Sequence, residues 1–140
     1  MSRFLAREVA FKAIFQLDIN HGDGEERKIY EDIAIDTVIN TGKKLSEEDQ
    51  LYVDQTVRGT RSHLEEIDQI ISAHLKKSWT LQRLATVDRN ILRLAIYEIK
   101  FAEESIPKGI IINEAVEIAK KYGTDDSSSF INGILAAIVN

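Results

Sequence analysis

A ring and an amide stand together near the end of the chain, in Ser127-Ser128-Ser129-Phe130-Ile131-Asn132, shortly after the pair Lys120-Lys121. A ring can stack on a splayed base and cations can neutralise phosphates, so this grouping has the chemistry to hold an unpaired nucleotide. At an expected helix start, Phe130 would also lie where backbone N–H groups can meet an anion, and packing into a core is equally open to it. Asn132 falls past the cap, which favours contact with a loop or a base edge, whereas Asn113 has the ordinary reading of a helix cap. Arg3 and Arg7 are one helical turn apart; a solvated face is the simpler reading, a two-phosphate grip the sharper one. Lys76-Lys77 and Lys120-Lys121 both close expected helices, where cations complement the negative end of the dipole. Trp79, the one tryptophan, lies at a junction, where a buried joint is favoured over a stacking platform.

No catalytic constellation assembles. His21, His63 and His74 form no metal-binding pair, and no nucleophile elbow, phosphate loop or dinucleotide fingerprint occurs. Paired acids such as Glu65-Glu66 and Asp125-Asp126 suit solvated helices and helix starts. With no cysteine, disulfides, thiolate zinc sites and cysteine nucleophiles are excluded. No cofactor and no metal is expected, and binding is favoured well above catalysis.

The elements that must position these residues read as helices. Leu5, Val9, Ala13 and Leu17 recur at four-residue steps over residues 3 to about 20, and His21-Gly22-Asp23-Gly24 ends that segment. A second helix from Glu26 to about Asn40 is built around Ile29, Ile33 and Ile39, with Ile35 and Asp36 breaking its face. Ser46 with Asp49 resembles a capping box, and from there Val53, Val57, Thr60, Leu64, Ile67, Ile71 and Leu75 keep one rhythm, with Gly59 marking a bend or a close crossing. Thr80 can cap a short turn from Leu81 to Ala85. Asp88 can cap a central helix from Arg89 to about Glu103, with Val87 and Leu92 as its staple. Helices from Ile110 to Tyr122, with Gly123 as C′ residue, and from Phe130 to about Val139 complete an all-α bundle of about seven helices.

The 140 residues suit one domain, and 44% apolar with 29% charged residues is ordinary globular composition. No apolar run is long enough to span a bilayer, and Met1 to Arg7 lacks the apolar core of a secretory signal, so no membrane association and a cytoplasmic location are expected. A net charge of −5 argues against indiscriminate nucleic-acid binding. The acidity is local, however: residues 20–56 hold four cations against ten acids, while residues 57–100 hold eight against five.

Several segments carry a resemblance when taken in order. They are Ala6-Arg7-Glu8-Val9-Ala10 with Phe15-Gln16-Leu17-Asp18, and Trp79-x-Leu81-x-Arg83-Leu84 followed by Val87-Asp88-Arg89-Asn90-Ile91-Leu92-Arg93-Leu94-Ala95-Ile96-Tyr97-Glu98. Ile112-Asn113-Glu114-Ala115-Val116-Glu117-x-Ala119-Lys120 and Phe130-Ile131-Asn132-Gly133-Ile134-Leu135 close the series. Across nearly the whole chain this resembles the NusB family of bacterial antitermination factors. The resemblance implies a single domain over residues 1–140 with two small helical subdomains, roughly 1–75 and 76–140. It also implies a non-catalytic, cytoplasmic role: binding boxA RNA together with NusE, a small-subunit ribosomal protein, and joining the RNA polymerase elongation complex through them on ribosomal RNA operons. By position it places Arg3, Arg7, Lys76, Trp79, Lys121, Phe130 and Asn132 toward RNA, Asp88, Arg89 and Glu98 toward NusE, and Asp126 in a loop that tunes the complex. Relatives often run several arginines together at the start, where this chain has Arg3-Phe4-Leu5, so a weaker electrostatic grip is expected. A homodimer that masks the RNA and partner faces stays open. The alternatives are the RNA-binding module of a ribosomal RNA cytosine methyltransferase, which would need a catalytic domain beyond Asn140, and a helical adaptor that binds only protein.

Overall fold

Ala6, Ala10, Ala13 and Leu17, three and four residues apart, wind onto one face of a helix and are sealed there. They form the seam of α1 (Phe4–Ile19) in a computed structural model that describes residues 3–42 and 44–139. Small side chains along that seam let α2 (Glu26–Ile39), α3 (Glu47–Ser62) and α5 (Thr86–Lys100) pack closely against it. The remaining elements are α4 (Leu64–Ala73), a 3₁₀ turn (Leu81–Arg83), α6 (Lys108–Tyr122) and α7 (Ser127–Val139). No strand occurs among the described residues, and among them no helix is long and apolar enough to cross a membrane.

α5 is the hub. Ile91, Leu92, Leu94, Ala95 and Ile96 are all buried, so it presents apolar surface on most sides and packs against α1, α3, α4, α6 and α7. It begins at Thr86 rather than Arg89. Asp88 therefore sits in the first turn, where its charge suits the dipole, instead of capping, and the expected Val87–Leu92 staple has lost its frame.

The long rhythm after Ser46 is divided. Ser46 caps α3 as expected, its hydroxyl accepting from the Asp49 N–H at 3.1 Å, but the helix stops at Ser62 and α4 resumes at Leu64. His63 makes the joint, its ring stacked on Phe101 at 4.4 Å. Gly59 is the close crossing and not the bend: a Cβ there would run into the ring of Tyr97 on α5.

α2 turns the other way from the sequence reading. Ala34 and Ile35 are its buried residues and Ile29 and Ile33 face outward. α4 ends at Ala73, so Lys76-Lys77 lies in the following turn and not on a helix. α7 starts at Ser127, three residues earlier than expected.

Candidate nucleic-acid interface

After α4, the chain turns back with the Trp79 N–H donating to the Lys76 carbonyl at 2.9 Å. The 3₁₀ turn follows, and Arg83 reaches back from it. Its Nη1 donates to the Ser78 carbonyl at 3.1 Å and its guanidinium lies over the Trp79 ring, 5.3 Å from the centroid. Trp79 is 48% exposed, so the junction leaves the indole at the surface instead of burying it. Apolar Leu81 and Leu84 point inward and hold the turn while the indole and guanidinium stay outside.

Facing this turn is the connection between α6 and α7. Gly123 is extended there, with φ −93° and ψ −168°, so glycine is not required by a left-handed conformation. Space requires it: a Cβ would collide with Ser127 and with the Ala119 carbonyl. Ser127 Oγ accepts from the Thr124 N–H at 3.0 Å and fixes the start of α7. Phe130 is the fourth residue of that helix, half-buried, with its own N–H bonded to the Asp126 carbonyl at 3.1 Å. Its amide is therefore not free to meet an anion, but its side chain packs on the core while staying partly exposed.

The two turns enclose an open groove of about 740 Å³, whose walls carry Lys76, Trp79, Arg83 and Phe130. Asp88 and Asp126 line it too, and Asp88 Oδ1 is buried with no hydrogen-bond partner among the described residues. Lys76 and Trp79, from one stretch of the sequence, and Phe130, from another, thus come together. His74 and Arg83 belong to the groove and were missed, although Arg83 sits one turn from Trp79 in the sequence, the spacing that lets a cation cover a ring.

The arginines expected to grip phosphate are elsewhere. Arg7 is 4% exposed, with Nε and Nη2 donating to Glu98 at 2.8 and 3.1 Å and Nη1 to Glu114 at 2.5 Å. Burial works against its charge, but the hydrogen bonds and charge of Glu98, with Glu114, overrule it and hold the guanidinium above the usual arginine range. Glu98 faces the interior for the same reason and offers no surface to a partner. Arg3 is half-buried over the Tyr52 ring, 4.8 Å from its centroid, and pairs with Glu48 and Glu104. Ten residues of α5 separate Glu98 from Asp88, about 15 Å of helix rise, so this network lies well away from the groove.

The other expected residues are dispersed. Arg89 donates to Asp18 from Nε and Nη2 at 3.0 and 2.7 Å and to the Leu81 carbonyl at 3.2 Å, which locks the 3₁₀ turn to α1. Arg93 and Asn90 join the same carboxylate; burial raises the Asp18 pKa, and these partners overrule it to leave it below the usual range. Asn132 is exposed on α7 outside the groove lining. Lys121 is exposed at the end of α6, its Nζ 2.5 Å from the buried Glu8 carboxylate.

The NusB family model matches residues 5–140. Among curated relatives, the transcription antitermination protein NusB of Bacillus cereus (strain ATCC 10987 / NRS 248) is 42% identical over 138 residues, covering 99% of this chain and 97% of its own length. That of Oceanobacillus iheyensis is 41% identical over 139 residues, covering 99% of both. Among solved structures, T. maritima NusB superposes with a TM-score of 0.81 at 38% identity, covering 99% of this chain and 90% of its own. NusB from a complex of NusB and NusE with double-stranded RNA gives 0.78 at 28% identity, covering 99% and 97%. With a family model and full-length relatives in agreement, the chain belongs to the NusB family.

Proposed function

We propose that this protein is a transcription antitermination factor that binds boxA-type RNA together with NusE, acts in the cytoplasm without catalysis, and places the unpaired bases in the groove between the 3₁₀ turn and the α6–α7 connection. The observation that carries the site is the convergence of Lys76, Trp79 and Phe130 on one groove. The exposed Trp79 ring and the half-buried Phe130 ring offer stacking, and Lys76 and Arg83 supply charge for the adjoining phosphates. Arg7 has no part in this reading, because phosphate would have to displace the buried Glu98 and the half-buried Glu114 carboxylates to reach it. Asp88 and Asp126 can accept from base amino groups or from NusE.

The test is Phe130→Leu, which keeps apolar volume against the core and removes the ring. Binding of boxA RNA in the presence of NusE should weaken by about 1–3 kcal/mol, the worth of one stacked base, with the helical circular dichroism unchanged. Trp79 is the chain's one tryptophan, so its emission reports on the same groove and should be altered by RNA in the parent protein. A folded variant that binds RNA undiminished, beside a tryptophan signal indifferent to RNA, would remove the groove from the RNA path.

A further inference from the structure

The groove is short of positive charge. Lys76 and Arg83 on its walls are matched by Asp88 and Asp126, so its lining has no net charge to set against a polyanion. A strand that leaves its bases there must find phosphate partners beyond the rim. One way out runs over the α6–α7 connection, where Thr124 lines the groove and Lys121 lies three residues upstream, a chain reach of at most about 11 Å.

At that place two helices present a saddle. Lys12 of α1 and Lys121 of α6 lie on Tyr122, their Nζ atoms 5.8 and 5.5 Å from the ring centroid. The ring is fixed from below: Tyr122 packs on Phe11 with centroids 5.5 Å apart, and its hydroxyl donates to the buried Glu8 carboxylate at 2.6 Å. Among the described residues Glu8 is the one carboxylate in direct contact, with Lys121 Nζ 2.5 Å from it. Lys12 is exposed and makes no ion pair among the described residues. Glu8 also lies within electrostatic reach of Lys12, so the two lysines share one carboxylate and the saddle keeps an excess of positive charge beside the ring.

Resting on the groove reading above, we infer that the Lys12–Tyr122–Lys121 saddle is a second contact for single-stranded RNA, taking the phosphates of nucleotides that flank those in the groove. Its contribution is electrostatic and independent of sequence, because lysine on phosphate carries no base information. Lys12 is the residue it adds to the interface, and Tyr122 is a positioning residue whose ring both ammonium groups approach.

The experiment compares a boxA RNA with the same RNA extended by a uridine tail at its 5′ or its 3′ end, titrated against the full chain with NusE over a series of salt concentrations. The tail at one end should tighten binding and steepen the slope of log affinity against log salt by about 0.7 for each phosphate gained. Lys12→Gln should remove about one such contact from the tailed RNA and leave the untailed RNA unchanged, while Lys12→Arg should restore it. A tail that brings no gain at either end, or a gain that Lys12→Gln leaves intact, overturns the saddle and leaves the groove standing. Equal weakening of tailed and untailed RNA by Lys12→Gln overturns it too, by placing Lys12 among the groove contacts. If the untailed RNA does not bind at all, the groove reading fails and the saddle falls with it.

Discussion

Arg7 and Phe130 both look like RNA contacts in the sequence, and the structure separates them by what lies around each. Arg7 is enclosed by Glu98 and Glu114 and lies near Tyr52, 5.7 Å from its ring centroid. Removing it leaves a buried carboxylate with no counter-charge, which is strongly destabilising, whereas replacing both members of a buried pair with apolar groups is often tolerated. Arg7→Met should therefore lower unfolding stability by about 3–5 kcal/mol in urea titration, and Arg7→Met combined with Glu98→Leu should recover much of that loss. The slope of RNA affinity against salt should not change in any variant that stays folded. Equal destabilisation in the single and double variants would mean that Glu98 is not what makes Arg7 indispensable; a flatter salt slope would mean that Arg7 meets phosphate after all.

At the scale of the helices, the decisive contact is the crossing of α3 and α5 at Gly59. Glycine inside a helix costs about 1 kcal/mol relative to alanine, so Gly59→Ala should stabilise if space allowed. Space does not allow it, because the Tyr97 ring occupies the position of the missing Cβ, and overpacking costs about 1–3 kcal/mol. Gly59→Ala should accordingly destabilise the parent protein yet stabilise a Tyr97→Leu variant, a reversal of sign that thermal unfolding of the four proteins would reveal. A gain in both backgrounds would show that the ring simply moves aside. The sequence announced this glycine as a bend or a crossing without deciding which, since both tolerate glycine and only the partner helix distinguishes them. The same limit explains the other differences. Helix existence was legible for every element because apolar residues repeat locally, and α5 was recognisable as the hub from its apolar residues on most sides. Boundaries shifted where tertiary contacts took over: His63 stacks on Phe101 and divides one rhythm into two helices, and the end of α4 at Ala73 frees Lys76 from the helix. In the candidate site, Lys76, Trp79 and Phe130 were legible as residue types, and their meeting in one groove depends on turns that no periodicity reports. Arg7 misled because a cation beyond an apolar face looks solvated until the carboxylates of distant helices are known to lie over it.

The whole molecule is held to α1 by charge as well as by its apolar seam. Near one end, Glu8 reaches Lys121 and Tyr122 on α6; near the other, Asp18 reaches Arg89, Arg93 and Asn90 on α5. Burial raises both carboxyl pKa values and the hydrogen bonds and cations around them overrule it, so each lies below its ordinary range in the folded chain. A depressed carboxyl binds fewer protons folded than unfolded, so its contribution is complete above the ordinary carboxylate range, about pH 4, and is lost as pH falls through the lower folded value. The chain should thus keep a level stability near neutrality and lose it below about pH 4. Asp18→Asn removes one of these anchors while keeping its shape, and strands Arg89 and Arg93 with less counter-charge. Because Asp18 is half-buried, the variant should be destabilised at neutral pH by less than the roughly 3–5 kcal/mol of a buried pair that loses one partner, and the gap to the parent should narrow steadily as the medium is acidified. Denaturant unfolding at a series of pH values measures that gap directly. If it stays constant down to the acid transition, Asp18 holds the same proton affinity folded and unfolded, and its charge adds nothing to the attachment of α1 to α5.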